Sequence, residues 1–358
     1  MGASRHAWIT DGEVLVGLAA VEWILQAVAG AGGRAPQCHA QLLTRRSKRL
    51  RPAVTLLAAR LGGCAVGPEV VRAAAGVELL HEATLYHDDI VDEAPVRRGA
   101  ASAQAACGAA TAALAGSELL YASVACFAEL PAALRRAAGR CGERLCRGQL
   151  RELELVGEPG VTVRDRVRVM RDKTASLFEL ATRLGATLGG VGPRERARVV
   201  RFGRFLGLGF QLADDLRDLL LSAEALGRPR FGDLRDGVYT LPAVYVLTGR
   251  GLARTVLRCR LGSSGDQGRA STPEDVVRII RVGGGVERAA EQLRTWVEAA
   301  RACLPEERRE SQAAQDLCRL ADGLLEHAGV EGPTARCGEA LAASSGARCS
   351  GERHDAVV

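Results

Sequence analysis

A chain of 358 residues is long enough to bury a sizeable core, as one large domain or two small ones. It is 47% hydrophobic and 25% charged with a net charge of +6, an ordinary globular balance, and its low aromatic content (4%) beside abundant alanine and leucine favours helices. It lacks an unbroken run of eighteen apolar residues, a basic segment leading into an apolar core at Met1–Gly12, and basic runs interleaved with aromatics; a membrane span, a secretory signal and nucleic-acid binding lose support, and a cytoplasmic location is expected. In chain order, apolar periodicity near 3.6 predicts a helix over 12–30 opened by Asp11, then helices over 48–61 and 67–92 on either side of a Gly62-Gly63 break. Further helices are predicted over 102–129, 131–156, 162–189, 193–221 and 239–250. Residues 262–272 (GSSGDQGRAST) read as a polar loop, and helices over 273–281, 284–304 and 309–328 complete the set. Strand alternation is nearly absent, so the expected class is all-α, with one helical domain over 1–328 and an aperiodic Gly/Ser/Ala/Arg tail, expected to be disordered, over 329–358.

Eleven cysteines are scattered without CxxC pairs or histidine partners, so neither a disulfide framework nor a zinc site is expected and free thiols are the reading. Of 48 basic residues only Lys48 and Lys173 are lysines. A compact ammonium does what arginine's planar fork cannot at every phosphate site, which singles out these two positions.

The sharpest signal is a repeated Asp-Asp-x-x-Asp: Asp88, Asp89 and Asp92, then Asp214, Asp215 and Asp218, each late in a strongly apolar helical stretch. Residues i and i+4 share a helix face, so Asp88 pairs with Asp92 and Asp214 with Asp218. Such like charges destabilise a helix unless a cation intervenes. Dense carboxylates without histidine or thiolate suit Mg²⁺, which shares its shell with waters and substrate phosphates. With sixteen aspartates a single such motif is expected by chance in roughly 3% of chains, so one match is modest evidence and two on similar helices are not. Two facing clusters would grip a diphosphate and make it a leaving group.

With these clusters in place the sequence closely resembles the trans-polyprenyl diphosphate synthases, particularly the long-chain bacterial hepta-, octa- and decaprenyl type. The resemblance runs in order through SKRLRP (47–52), LLHEATLYHDDIVDEAPVRRG (79–99), RGQLRELEL (147–155), KTASLFELATRLGA (173–186), FQLADDLRDLL (210–220) and FGDLRDGVYTLPAV (231–244), covering roughly 10–328. It implies the isoprenoid synthase fold, a single large helical bundle around a deep apolar cavity, usually homodimeric. It also implies two or three Mg²⁺ ions, and isopentenyl diphosphate plus an allylic diphosphate primer as substrates. By resemblance Lys48, Arg51, His81 and Arg98 bind isopentenyl diphosphate, with Arg49 assisting or packing nearby. Arg97, Lys173, Thr174 and Gln211 contact the allylic diphosphate, and Asp88, Asp92, Asp214, Asp215 and Asp218 are metal ligands, with Asp89 an auxiliary member. Asp88, Asp92, Lys173, Asp214 and Asp215 carry the catalysis; His87 packs or supports.

The implied reaction is ionisation of the allylic diphosphate, attack by the isopentenyl double bond and loss of a proton, with the departing diphosphate the expected acceptor. No side-chain nucleophile is required. Product length depends on what closes the cavity below Asp88. Ala83 and Thr84 are small where bulky aromatics give short products, so a C30–C50 product is expected, with C20 as the fallback and Leu80 or Gly76 setting the next limit. Four positions depart from the family pattern: Ser47 for glycine, Ser117 for aspartate after Gly116, Arg228 for lysine after Gly227, and Val238 for lysine after Asp236-Gly237. Alternatives are a class I terpene cyclase, a weakly active subunit of a heteromeric synthase, and a helical nucleic-acid binder. No membrane span is expected, although peripheral membrane contact at product release fits an apolar product.

Overall fold

The structure, a computed structural model, describes residues 6–31, 38–41, 48–226, 230–262 and 272–330. Ser47, Gly227, Arg228 and the tail from 331 onward lie outside the described residues.

The order of elements is α1 (Gly12–Ala31), a 3-10 turn (Cys38–Gln41), α2 (Leu50–Arg60) and α3 (Pro68–Val91), then a hairpin of β1 (Val96–Arg97) and β2 (Ala100–Ala101). There follow α4 (Ala103–Cys107), α5 (Ala109–Ala128), α6 (Ala132–Glu154), α7 (Val163–Val169), a π-helical turn (Met170–Ala175), α8 (Ser176–Leu188) and α9 (Pro193–Leu220). Short helices α10 (Ala223–Leu226) and α11 (Gly232–Arg235) lead to α12 (Leu241–Leu247), α13 (Leu252–Gly262), α14 (Pro273–Val282), α15 (Gly285–Cys303) and α16 (Gln312–His327). Helix starts follow local chemistry. Proline occupies the first turn of α3, α9, α12 and α14, where its missing N–H costs nothing. Thr162 and Asp165 form a capping box on α7.

The all-α expectation holds, with differences that have local causes. The 102–129 prediction splits at Gly108, whose φ of 83° is outside helical space. The 162–189 prediction is interrupted by the π turn around Lys173. Helix α13 was not predicted, because LARTVLRCRLG has only a narrow apolar stripe, and its end overlaps the start of the predicted loop. Residues 263–271 of that loop lie outside the described residues. The two-residue hairpin is too short for period-2 patterning to reveal.

The core is one continuous cluster in which α3 packs on α5, α2 on α8, and α9 on α8 and α15. Small residues set these approaches. A Cβ on Gly185 of α8 would lie 2.0 Å from the Thr55 carbonyl oxygen of α2, so only glycine permits this separation. Helices α1 and α5 are long and apolar enough by mean hydropathy to span a bilayer, although polar residues interrupt both; each also packs on α3. The free-thiol expectation fails at one pair: Cys38 and Cys107 form a disulfide joining the turn before α2 to α4. Spacing alone could not have paired cysteines 69 residues apart.

Candidate active site

Asp88 and Asp92 sit at the C-terminal end of α3, where Asp92 caps the helix and its N–H donates to the Asp88 carbonyl at 2.8 Å. Burial, opposed by Lys173 and reinforced by the like charge of Asp92, pushes the Asp88 carboxyl up to about 6. Asp92 is raised by burial, again with Lys173 opposing. Asp89 points elsewhere. It is fully buried and accepts from Arg97 Nε at 2.7 Å and from Arg97 Nη2. Arg97 and Arg98 diverge because they straddle a tight hairpin turn with Arg98 at φ 53° and Gly99 at φ 79°, the pair of positive values a two-residue turn of this hand requires. Arg97 therefore pairs with Asp89 of the first cluster, while Arg98 donates to Glu82 Oε1 at 2.9 Å, two helical turns earlier on α3.

The second cluster lies late on α9. Gln211, one turn before Asp215, accepts from Thr174 Oγ1 at 2.7 Å and donates through Nε2 to Asp215 Oδ1 at 2.9 Å. Burial raises Asp215 against the pull of Arg166 and the Gln211 hydrogen bond. Asp218 is buried beneath.

Two residues without an assigned sequence role join the clusters. Gly148 lets α6 press on the π turn, since a Cβ there would lie 2.6 Å from the Lys173 nitrogen. One helical turn later, Glu152 accepts from Lys173 Nζ and from Arg166 Nη1 at 2.9 Å. Burial alone would raise Glu152, but Lys173 and Arg166 hold it below the usual carboxylate range. Burial would likewise lower Lys173, but Asp88 and Glu152 override it and raise the ammonium. The charge of Glu152 acts on Asp88 and Asp92 on one side and on Asp215 on the other, so this carboxylate stands between the two aspartate helices. A π turn is a common device for re-aiming side chains at functional positions, and this one carries Lys173 and Thr174 together.

The donor set fits a hard divalent cation. Asp215 Oδ2 is buried with no hydrogen-bond partner, and Asp88, Asp92 and Asp214 add further hard carboxylate oxygens. Among the described residues, no three carboxylate, histidine or cysteine side chains already converge to hold an ion. An ion bound here would complete its shell with waters and phosphate oxygens, the habit of Mg²⁺ rather than of a cage-bound metal.

A cavity of about 210 Å³ is lined by Lys48, Arg51, His81, Arg98 and Asp214, by Arg49 and Glu78, and by Phe210, Arg217 and His327. It gathers all four residues expected to hold isopentenyl diphosphate. Burial lowers Lys48, with Arg217 adding and Asp214 opposing. Burial pushes Arg51 down to about 10, and its guanidinium stacks 4.8 Å from the Phe178 ring centroid. His81 is held well below its usual value by burial and then by Arg51 and Arg98, so it is a neutral imidazole. Arg49 also lines this cavity, with its guanidinium in a buried ion network with Glu22 at 2.8 Å and Glu78 at 2.9 Å and its backbone at φ 46°. Phe210, Arg217 and His327 were missed by sequence reasoning. His327, the last residue of α16, stacks on Phe210 and shares its Nε2 with Asp214 Oδ1 (2.9 Å) and Arg217 Nη1 (3.0 Å). No local signal could reveal a contact spanning 113 residues.

On the turns of α3 before Asp88, Ala83 and Leu80 are buried and Thr84 is half-buried, its hydroxyl donating to the His81 carbonyl at 2.7 Å. Gly76 is closed by α5, since a Cβ would lie 2.6 Å from the Phe127 ring. His87 packs where α5 passes at Gly116. Ser117 spends its hydroxyl on the Ala113 carbonyl, and Val238 is half-buried with its N–H on the Asp233 carbonyl, so neither supplies the charge of the family pattern.

Comparison with known proteins identifies the family and the fold. The chain is 36% identical over 255 residues to a nonaprenyl diphosphate synthase of Mycobacterium tuberculosis, covering 71% of this chain and 75% of the relative. A decaprenyl diphosphate synthase from Rhodobacter capsulatus superposes with a TM-score of 0.79 at 29% identity, over 88% of this chain and 97% of the other. A polyprenyl synthase from Caulobacter crescentus, solved with calcium and isoprenyl diphosphate, does so at 0.79 and 26% identity, over 87% and 94%. A family model described as polyprenyl synthetase matches residues 35–278, and on these grounds the chain belongs to the polyprenyl synthetase family.

Proposed function

We propose that this chain is a Mg²⁺-dependent trans-prenyltransferase that condenses isopentenyl diphosphate with an allylic diphosphate to give a polyprenyl diphosphate. The observation that carries the reading is the run of contacts between the two aspartate helices, Lys173 and Arg166 on Glu152 and Thr174 through Gln211 to Asp215, together with the Lys48–Arg51–His81–Arg98 cavity. Two diphosphates would lie side by side. A unit charge pair 4 Å apart costs about 4 kcal/mol at an effective dielectric constant near 20, so close-set cations are needed on both. Lys48, Arg51 and Arg98 would hold the isopentenyl diphosphate, with His81 adding a neutral hydrogen bond. Lys173, Thr174, Gln211 and Arg97 would hold the allylic partner. Asp88, Asp92, Asp214, Asp215 and Asp218 would hold two or three Mg²⁺ ions, with Asp89 kept in place by Arg97 as the auxiliary member. When bound, Mg²⁺ would neutralise the departing diphosphate as a Lewis acid. The buried apolar flank of α3 excludes water from the developing carbocation, and the proton released after condensation would pass to the departing diphosphate.

The small side chains of Ala83 and Thr84 support a product longer than C15. The relatives named for nonaprenyl and decaprenyl products favour the C30–C50 range, with C20 the lower alternative. Exposed Leu114, Tyr121 and Val124 on α5 support a homodimer. An all-aspartate second cluster beside a basic cavity argues against a terpene cyclase, and the intact clusters argue against a weakly active subunit of a heteromeric synthase.

The deciding experiment incubates the purified chain with Mg²⁺, labelled isopentenyl diphosphate and allylic primers of increasing length. The expected result is label in all-trans polyprenyl diphosphates beyond C15. Release of hydrocarbon, or no incorporation with any primer, would overturn the reading.

A further inference from the structure

Away from the aspartate clusters, a second cavity of about 460 Å³ opens where α12 ends and α13 and α15 begin. Three arginines line it, Arg250, Arg254 and Arg288, and no carboxylate does. Two of them are held from behind. Arg254 Nε donates to the Leu247 carbonyl at 3.1 Å, and Arg288 Nη1 donates to the Tyr245 carbonyl at 3.2 Å, both at the C-terminal end of α12. Each guanidinium spends one of its five donors this way and keeps the rest available. These bonds also fix the two side chains, which lowers the cost of ordering them around an anion. Arg250 has no carboxylate partner among the described residues.

The apolar surroundings narrow the choice of anion. Leu252, next to the cavity at the start of α13, is 79% exposed, and Val282, next to it at the end of α14, is 82% exposed. These are the two most exposed large apolar side chains among the described residues. A soluble phosphate would gain nothing from them. A bilayer surface would use both features, with phosphate headgroups on the arginines and the apolar tips in the acyl boundary.

The location is also informative. Arg198 near the start of α9 bonds the carbonyls of Ala302 and Leu304 at the end of α15, so these helices run antiparallel and the start of α15 lies toward the aspartate end of α9. Arg281 of α14 confirms the placement by donating to the carbonyl of Leu219, one residue past Asp218. We propose that the Arg250–Arg254–Arg288 cavity, flanked by Leu252 and Val282, is a docking site for the phosphate headgroups of an anionic membrane surface. It would seat the protein by the end of the bundle that carries its aspartate clusters.

The test is flotation of the full chain with phosphatidylcholine vesicles, with and without phosphatidylglycerol. It needs no turnover, so its failure would leave the prenyl-transfer reading untouched. The expected result is binding to the anionic vesicles only, weakened about fivefold by Arg250→Ala, the effect of one basic side chain near such a surface. The double substitution Leu252→Asp with Val282→Asp should abolish flotation. Both sites are exposed, so an unchanged melting temperature separates this loss from misfolding. Equal flotation of the parent and Arg250→Ala chains would overturn the proposal. So would absence of flotation combined with weaker inorganic diphosphate binding by Arg250→Ala in calorimetry, which would mark a soluble-anion pocket instead.

Discussion

Asp88 and Asp214 lie on different helices and face different neighbours, Lys173 for the first and His327 with Arg217 for the second. Neither is spare. Asp88→Asn and Asp214→Asn should each lower kcat for prenyl transfer by roughly 10²–10³, the range for loss of one preorganised charge-stabilising group, as read in steady-state assays at saturating Mg²⁺. Glu152 makes a different kind of contribution, because it satisfies two buried cations at once. Replacing it by Gln leaves Lys173 and Arg166 under-compensated and should cost about 3 kcal/mol in urea unfolding at neutral pH. Its pH dependence has a definite sign. The folded carboxyl lies below its ordinary 4.5, so its contribution is complete above that value and is lost as pH falls through the folded value. The Gln variant should lose less stability on acidification than the parent. Equal acid sensitivity of the two would refute the bridging role.

The elements place these residues through a few close approaches. Helix α3 delivers the first cluster, α9 the second, and the π turn aims Lys173 and Thr174 between them. The distance between α2 and α8 depends on Gly185, where any side chain would enter the α2 backbone. Gly185→Ala should destabilise the fold by about 1–3 kcal/mol, measured by the urea midpoint at unchanged slope, and a neutral result would mean that α8 can retreat without loss. The hairpin after α3 is a second such device. By reversing direction over Arg98 and Gly99 it sends neighbouring guanidiniums to two different carboxylates, Asp89 and Glu82.

For the molecule as a whole, no three ligands converge on a metal position among the described residues, so the ion and the substrate diphosphate are expected to bind together. Chelation of divalent ions should therefore abolish prenyl transfer while leaving the melting temperature nearly unchanged. Mg²⁺ with inorganic diphosphate should stabilise the chain by about 2.7 kcal/mol at a hundredfold excess over Kd, and Mg²⁺ alone far less. A large loss of thermal stability on chelation alone would show instead a preformed structural metal site.

What could be read from the chain itself follows from the reach of each signal. Helical periodicity and the i, i+4 spacing of Asp88 with Asp92 and Asp214 with Asp218 are local, so the all-α class and both carboxylate faces were visible without coordinates. The two lysines kept in an arginine-rich chain pointed to Lys48 and Lys173 for the same reason, since composition needs no partner to be counted. Tertiary structure alone decided which groups meet. It placed Glu152 between the clusters, brought His327 from the last helix onto Asp214, paired Cys38 with Cys107 and tied Arg49 into a buried ion network. Those outcomes depend on how closely backbones approach and on which charges are buried together, and neither quantity is carried by any one segment of sequence.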